Sequence, residues 1–238
     1  MSIQLHKAMV SILAMPYFKN EAHKSGKVKF AHEKAVAAKI AAAGFTEVQK
    51  KLYPKLTKKL LKKWAETGDD TRLRAACVGL KEGSYILQPA GSQGFPDILV
   101  LDFTNKEDNN NKDVTDRFVA VECKSTNKST CPMWNDNTPK PNTTYVLSSG
   151  KRNKTTIFMG RDVISPEEQQ LMNEQEESIA KFVDGYNIKL SKLDKFNRGW
   201  VKKMRKQHFQ QGGEIKTNYF THSDKQSCEE NALAYALE

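Results

Sequence analysis

Residues 91–103, GSQGFPDILVLDF, and residues 118–124, FVAVECK, decide how the middle of this chain folds. Each holds an apolar run of strand length, Ile98 to Phe103 and Phe118 to Glu122, and between them lies the polar stretch TNKEDNNNKDVTDR. Two apolar runs separated by a polar loop spell an antiparallel β-hairpin. Asn109 to Asn111 are too polar for a core, so the connection is expected to run over the surface. The start of one antiparallel strand lies beside the end of its neighbour. Pro96-Asp97 therefore comes next to Glu122-Cys123-Lys124, and the period of two puts Glu122 and Lys124 on one face with Cys123 on the other.

Two carboxylates and an ammonium then share a small volume. Carboxylate oxygens are hard ligands suited to Mg²⁺, which needs only one or two of them and fills its other octahedral positions with waters and substrate phosphate oxygens. A metal so held lowers the pKa of a water and offsets charge in a phosphoryl transition state, while a lysine can position the attacking water. The pattern E-x-K is unspecific in a chain that is 28% charged. Its other reading is an exposed Glu122–Lys124 pair on a strand, worth under about 1 kcal/mol.

The rest of the composition narrows the field. The chain has 238 residues, 38% of them hydrophobic, with a formal charge of +10 and a mean hydropathy of −0.66. A chain of this length buries enough surface to fold without disulfides or structural metal. The apolar stretch Ala35 to Phe45 is broken by Lys39 and is shorter than the roughly 20 residues that cross a bilayer. Ala8 to Met15 follows Lys7 as a secretory segment can, but it is short and stops at Pro16, which suits a helix packed on the core. Cys77, Cys123, Cys131 and Cys228 form no CxxC pair, and the five histidines fall at no ligand spacing beside them. A reducing, cytoplasmic setting is the expectation. Asn127, Asn142 and Asn153 open N-x-S/T triplets, which without a secretion signal mark polar loops. Lysines crowd between Lys19 and Lys63 and again between Lys189 and Lys206, a local positive field that suits a polyanion or merely a solvated helix face.

Along the chain, Phe30 to Ala43 is a strong helix former stopped by Gly44. Thr46 is placed to cap a second helix reaching toward Glu66, divided or kinked at Pro54. Tyr85 to Leu87, Tyr145 to Ser148 and Thr156 to Met159 read as further strands. Pro166 to Asp184 reads as a helix capped by Ser165, and Glu229 to Leu237 as a terminal helix. Tyr186 to Gln211 is basic and aromatic and has no clear place. The order of elements implies an α/β or α+β fold, a mixed sheet flanked by helices.

The residues Pro96, Asp97, Glu122 and Lys124, in this order and strand context, resemble the PD-(D/E)xK nucleases. The lead-in GSQGFPDI is similar to the Gly-Ser-Gln-x-aromatic-Pro-Asp sequence of several type II restriction endonucleases, and PMWNDNTPKPNTTYVL followed by TTIFMGRDVI resembles the Trp-Asn, strand, Gly and Asp pattern of the same subset. The likeness spans Gly91 to Ile164, about a third of the chain.

That resemblance implies a restriction-endonuclease-like core at about residues 30–185 of a single nuclease domain, with basic N- and C-terminal segments contributing to DNA binding. It implies Asp97 and Glu122 as ligands of Mg²⁺, the backbone carbonyl of Cys123 as a third, and Lys124 as the residue that orients or activates water. Glu33, on a helix like the one that carries a metal-facing glutamate in many of these nucleases, joins the catalytic set. An alternative for Glu33 is a solvated acid favoured by the helix dipole. Ser92, Gln93, Asn135 and Arg152 carry groups suited to bases or phosphates, the alternative for Arg152 being a plain loop arginine. Trp134 could stack or wedge there, or serve as core. The implied activity is sequence-specific hydrolysis of double-stranded DNA by a homodimer, leaving 5′-phosphate and 3′-hydroxyl ends, with a cognate DNA methyltransferase as partner. Two other readings remain: a repair or junction-resolving nuclease, and a non-catalytic basic protein that binds nucleic acid.

Overall fold

The structure is a computed structural model describing residues 3–18, 21–22, 28–29, 31–92, 94–102, 117–135, 138–204, 207–208, 210 and 217–238. The surface loop expected at Asn109 to Asn111 lies outside the described residues, as do Phe30, Phe103 and parts of both lysine-rich stretches. The helices are α1 (Ile3–Leu13), α2 (Ala31–Ala42), α3 (Lys58–Thr67), α4 (Thr71–Ala76), α5 (Pro166–Lys192) and α6 (Lys225–Tyr235). The strands of the main sheet are β1 (Thr46–Glu47), β2 (Ser84–Leu87), β3 (Ile98–Leu101), β4 (Phe118–Thr126), β5 (Thr143–Ser149) and β6 (Lys154–Met159). The chain packs as two compact units.

The first unit comprises Met1–Pro132, Lys140–Val163 and Gln210–Glu238. Its six strands lie side by side in chain order. β1 pairs with β2 and β4 with β5 in parallel; β2–β3, β3–β4 and β5–β6 are antiparallel. The sheet is thus mixed and flanked by helices. Alternation along β4 explains the two cores: Val119 and Val121 face Leu5, Met9 and Ile12 of α1 and Val36 and Ile40 of α2. Phe118 and Ala120 face Leu61 and Trp64 of α3 and Leu73 of α4. Each fully buried aliphatic side chain in these layers contributes about 1.5–3 kcal/mol. The apolar segment that follows Lys7 runs through the end of α1 to Met15 on the first core, with Ala8, Met9, Ile12 and Met15 buried.

One expectation needs correction. Thr46 caps no helix: it sits in β1, parallel to Ser84 of β2. A 3-10 turn at Lys50–Leu52 follows, and α3 begins only after Pro54, with Thr57 Oγ1 accepting the Leu60 N–H. Pro54 fixes its own φ and blocks continuous helix before that point.

The second unit comprises Met133–Pro139 and Ile164–Phe209. Its main element is α5, opened by Ser165 in a capping box with Glu168. The helix runs past the expected end at Asp184 and through Gly185 to Lys192. Trp134–Asn135 pairs antiparallel with Gln207–His208.

Candidate active site

The loop from β2 to β3 is built to deliver Asp97. Gly91 adopts φ +94°, a left-handed conformation that favours glycine, and a Cβ on Gly94 would stand 2.7 Å from the Ala90 carbonyl oxygen. Gln88, also left-handed at φ +49°, donates its backbone N–H to the Asp97 carbonyl at 2.6 Å. These constraints account for both glycines of the lead-in.

β3 stops short while β4 continues. Ile98 is paired with Val121, so Glu122, Cys123 and Lys124 extend beyond the β3 register, while their other side remains paired to Tyr145, Val146 and Leu147 of β5. Asp97 occupies the position that opens up: its Oδ2 accepts the Cys123 N–H at 2.7 Å. A strand residue directs its N–H and C=O toward the same neighbour. The Cys123 carbonyl therefore faces the edge where Asp97 sits.

Glu122 and Lys124 share a face, and Lys124 Nζ donates to Glu122 Oε1 at 2.8 Å. The pair is not an exposed strand bridge, because the two side chains retain only 13% and 19% of their accessibility. Glu122 Oε2 is buried with no hydrogen-bond partner among the described residues. Glu33, in the first turn of α2, completes the cluster, its Oε2 accepting from Gln88 Nε2 at 3.1 Å. Tyr145, across from Glu122 in the register, is buried, stacked on Phe158 and fixed by the Lys140 N–H that it accepts at 2.8 Å.

The electrostatics are those of crowded like charges. Burial first, then Glu122 and Glu33, push the Asp97 carboxyl well above its ordinary range. Burial also raises Glu33, opposed by the Gln88 hydrogen bond and reinforced by Glu122. For Lys124, burial pulls the pKa down, but Glu122 and then Asp97 outweigh it and the ammonium is held above its usual value. Cys123 turns its thiol to the opposite face, where burial pushes its pKa well up. Only its carbonyl is available to the site.

Among the described residues, no group of three or more His, Cys, Asp or Glu side chains is placed to hold a metal ion. Asp97 and Glu122 could supply two carboxylates, which is what Mg²⁺ asks of a protein. The unpartnered Glu122 Oε2 and the raised Asp97 carboxyl are the groups such a cation would satisfy.

Of the other candidates, Ser92 and Arg152 are exposed. Arg152 tops the turn between β5 and β6, and since β5 is parallel to β4 this turn leaves the sheet at the end that carries Glu122 and Lys124. Gln93 lies outside the described residues. Trp134, 3% exposed, and the backbone of Asn135 belong to the short ladder of the second unit. Gln88 went unnoticed in the sequence: a glutamine before Pro-Ala-Gly carries no sign that its side chain will reach a glutamate 55 positions away. Cys77, Cys123, Cys131 and Cys228 are free thiols. No described helix is long and apolar enough to cross a membrane. Compared with known proteins, the chain matches no protein-family model, no curated protein and no solved structure.

Proposed function

We propose that the chain is a Mg²⁺-dependent type II restriction endonuclease with a PD-(D/E)xK core, acting as an intracellular homodimer on a short sequence of double-stranded DNA alongside a cognate methyltransferase. The observation that carries this reading is the partly buried cluster of Asp97, Glu122, Lys124 and Glu33 at one end of the sheet, where carboxylates outnumber ammonium groups. Asp97 and Glu122 would hold the metal, with the Cys123 carbonyl beside them and Glu33 held by its hydrogen bond from Gln88. The metal supplies a water of lowered pKa and neutralisation of the phosphate charge. Lys124 holds a proton at Nζ and orients the attacking water. Cys123 N–H fixes the direction of the Asp97 carboxylate. Water attacks phosphorus, the P–O3′ bond breaks, and the products are a 5′-phosphate and a 3′-hydroxyl.

The test is digestion of plasmid and viral DNA with and without Mg²⁺, with the fragment ends sequenced. Discrete fragments with one common end sequence are expected. Asp97→Ala and Lys124→Ala are each expected to abolish cutting and leave binding measurable. Normal cutting by either variant removes the site assignment. Cleavage of branched but not linear duplex would make it a junction nuclease, and salt-sensitive binding without cleavage would make it a binding protein.

A further inference from the structure

Helix α5 spans 27 residues, about 40 Å at 1.5 Å per residue, yet Gln169 is its single buried residue. Helices draw most of their stability from packing an apolar face. Here that face is bare: Leu171, Phe182 and Tyr186, with Leu193 at the C-cap, are 68, 65, 56 and 73% exposed. At 3.6 residues per turn these four project within about 60° of one another. The adjacent face is occupied, since the Asn187 side chain grips both the N–H and the carbonyl of Lys202 at 2.7 and 3.0 Å. The apolar stripe has no such cover among the described residues.

Charge along the helix says what fits. Its first half carries Glu167, Glu168, Glu174, Glu176 and Glu177 and no cation; its second carries Lys181, Lys189 and Lys192 against Asp184. Glu167 and Glu174 flank the stripe on the same side as Lys181 and Lys192. Another α5 laid antiparallel sets each acidic half on a basic half, whereas a parallel one sets like on like. We propose that α5 is a self-association helix, which pairs antiparallel with α5 of a second copy across a two-fold axis near Ser178. Such an interface is isologous, each copy giving the same surface. It rests on the homodimer of the proposed function, whose interface it locates, and would serve the two-fold arrangement a palindromic target requires, while the cleavage chemistry is tested separately.

Sedimentation of the full chain, without DNA or metal, tests it. A dimer is expected, and Phe182→Glu is expected to weaken it about a hundredfold or more by removing one buried aromatic per copy. Lys181→Glu with Lys192→Glu, and separately Glu167→Lys with Glu174→Lys, should each give monomers that pair when mixed. A short bis-maleimide should join two Ser178→Cys chains but not two Leu171→Cys chains, whose thiols lie about 20 Å apart in an antiparallel pair. A monomeric wild type, an unweakened Phe182→Glu dimer, no recovery on mixing, or ready joining at position 171 overturns the proposal. None of these outcomes touches the cleavage test.

Discussion

Asp97→Asn separates what this side chain does for the fold from what it does for the site. The asparagine oxygen can still accept the Cys123 N–H that Asp97 Oδ2 takes at 2.7 Å, so the entrance to β3 stays anchored. What disappears is a partly buried negative charge beside Glu122 and Glu33. A group whose folded pKa is raised binds its proton more tightly in the folded state; the stability this gives is complete below the ordinary aspartate range and is lost as pH rises through the elevated value. Metal-free wild type is therefore expected to lose more stability than Asp97→Asn as pH climbs from about 4 toward neutrality. At neutral pH the variant should be more stable by about 0.5–2 kcal/mol, the common yield of a single stabilising substitution. For a chain of this size that is a rise in Tm of about 1–8 °C. Mg²⁺ should act oppositely. At ten times its Kd it adds about 1.4 kcal/mol to the wild type, or about 3–6 °C, and close to nothing to the variant. Calorimetry in chelator and in Mg²⁺ measures both effects. A variant no more stable than wild type in chelator, or an equal Mg²⁺ shift in the two proteins, refutes the picture of a like-charge cluster awaiting a cation.

Other outcomes follow from the same geometry. Lys124→Met keeps the aliphatic stem but strands the Glu122 carboxylate in a largely buried position, so chemical denaturation should show a loss of about 3–5 kcal/mol and single-turnover assays a fall in cleavage of about 10²–10³-fold. Gln88→Asn, which suits left-handed backbone but shortens the reach to Glu33, removes a hydrogen bond that lowers the Glu33 pKa; the acid limb of the cleavage pH profile should move up. Arg152→Ala should leave stability within about 0.5 kcal/mol and reduce the slope of log binding constant against log salt by about 1 if this arginine meets a phosphate.

The hairpin was legible because Ile98 to Leu101 and Phe118 to Val121 are uninterrupted apolar runs set apart by a loop that cannot be core. The pairing of β1 with β2 was not, because two residues, Thr46 and Glu47, carry no period and a threonine before a lysine-rich stretch reads as a cap. The parallel contact of β4 with β5 depends on a crossover that no local pattern announces. The helix expected over Pro166 to Asp184 continues through Gly185 to Lys192, a single interior glycine costing only about 1 kcal/mol. Asp97, Glu122 and Lys124 were legible for a simple reason: hairpin register and strand alternation are rules of the backbone. Gln88 depends on a side-chain rotamer and a left-handed φ, which those rules do not reach.

A sheet gains nothing from this arrangement as such. Apolar residues at the end of β4 would extend the core that Val119 and Val121 begin, whereas Glu122 keeps one buried oxygen unsatisfied and Asp97 is pushed toward protonation by burial and then by Glu122 and Glu33. Lys124 is a single ammonium against Asp97, Glu122 and Glu33, so the ionised cluster carries an excess of negative charge inside a chain whose formal charge is +10. The two signs call for different ligands: the positive exterior attracts a polyanion, and the negative recess would repel one. A divalent cation reconciles them, since it is attracted by the recess and still binds phosphate oxygens with its remaining positions. Strengthening the lysine side of the cluster, as Glu33→Gln would, should therefore weaken Mg²⁺ binding while leaving the salt dependence of DNA binding in chelator unchanged, an outcome that titration calorimetry and filter binding can read separately.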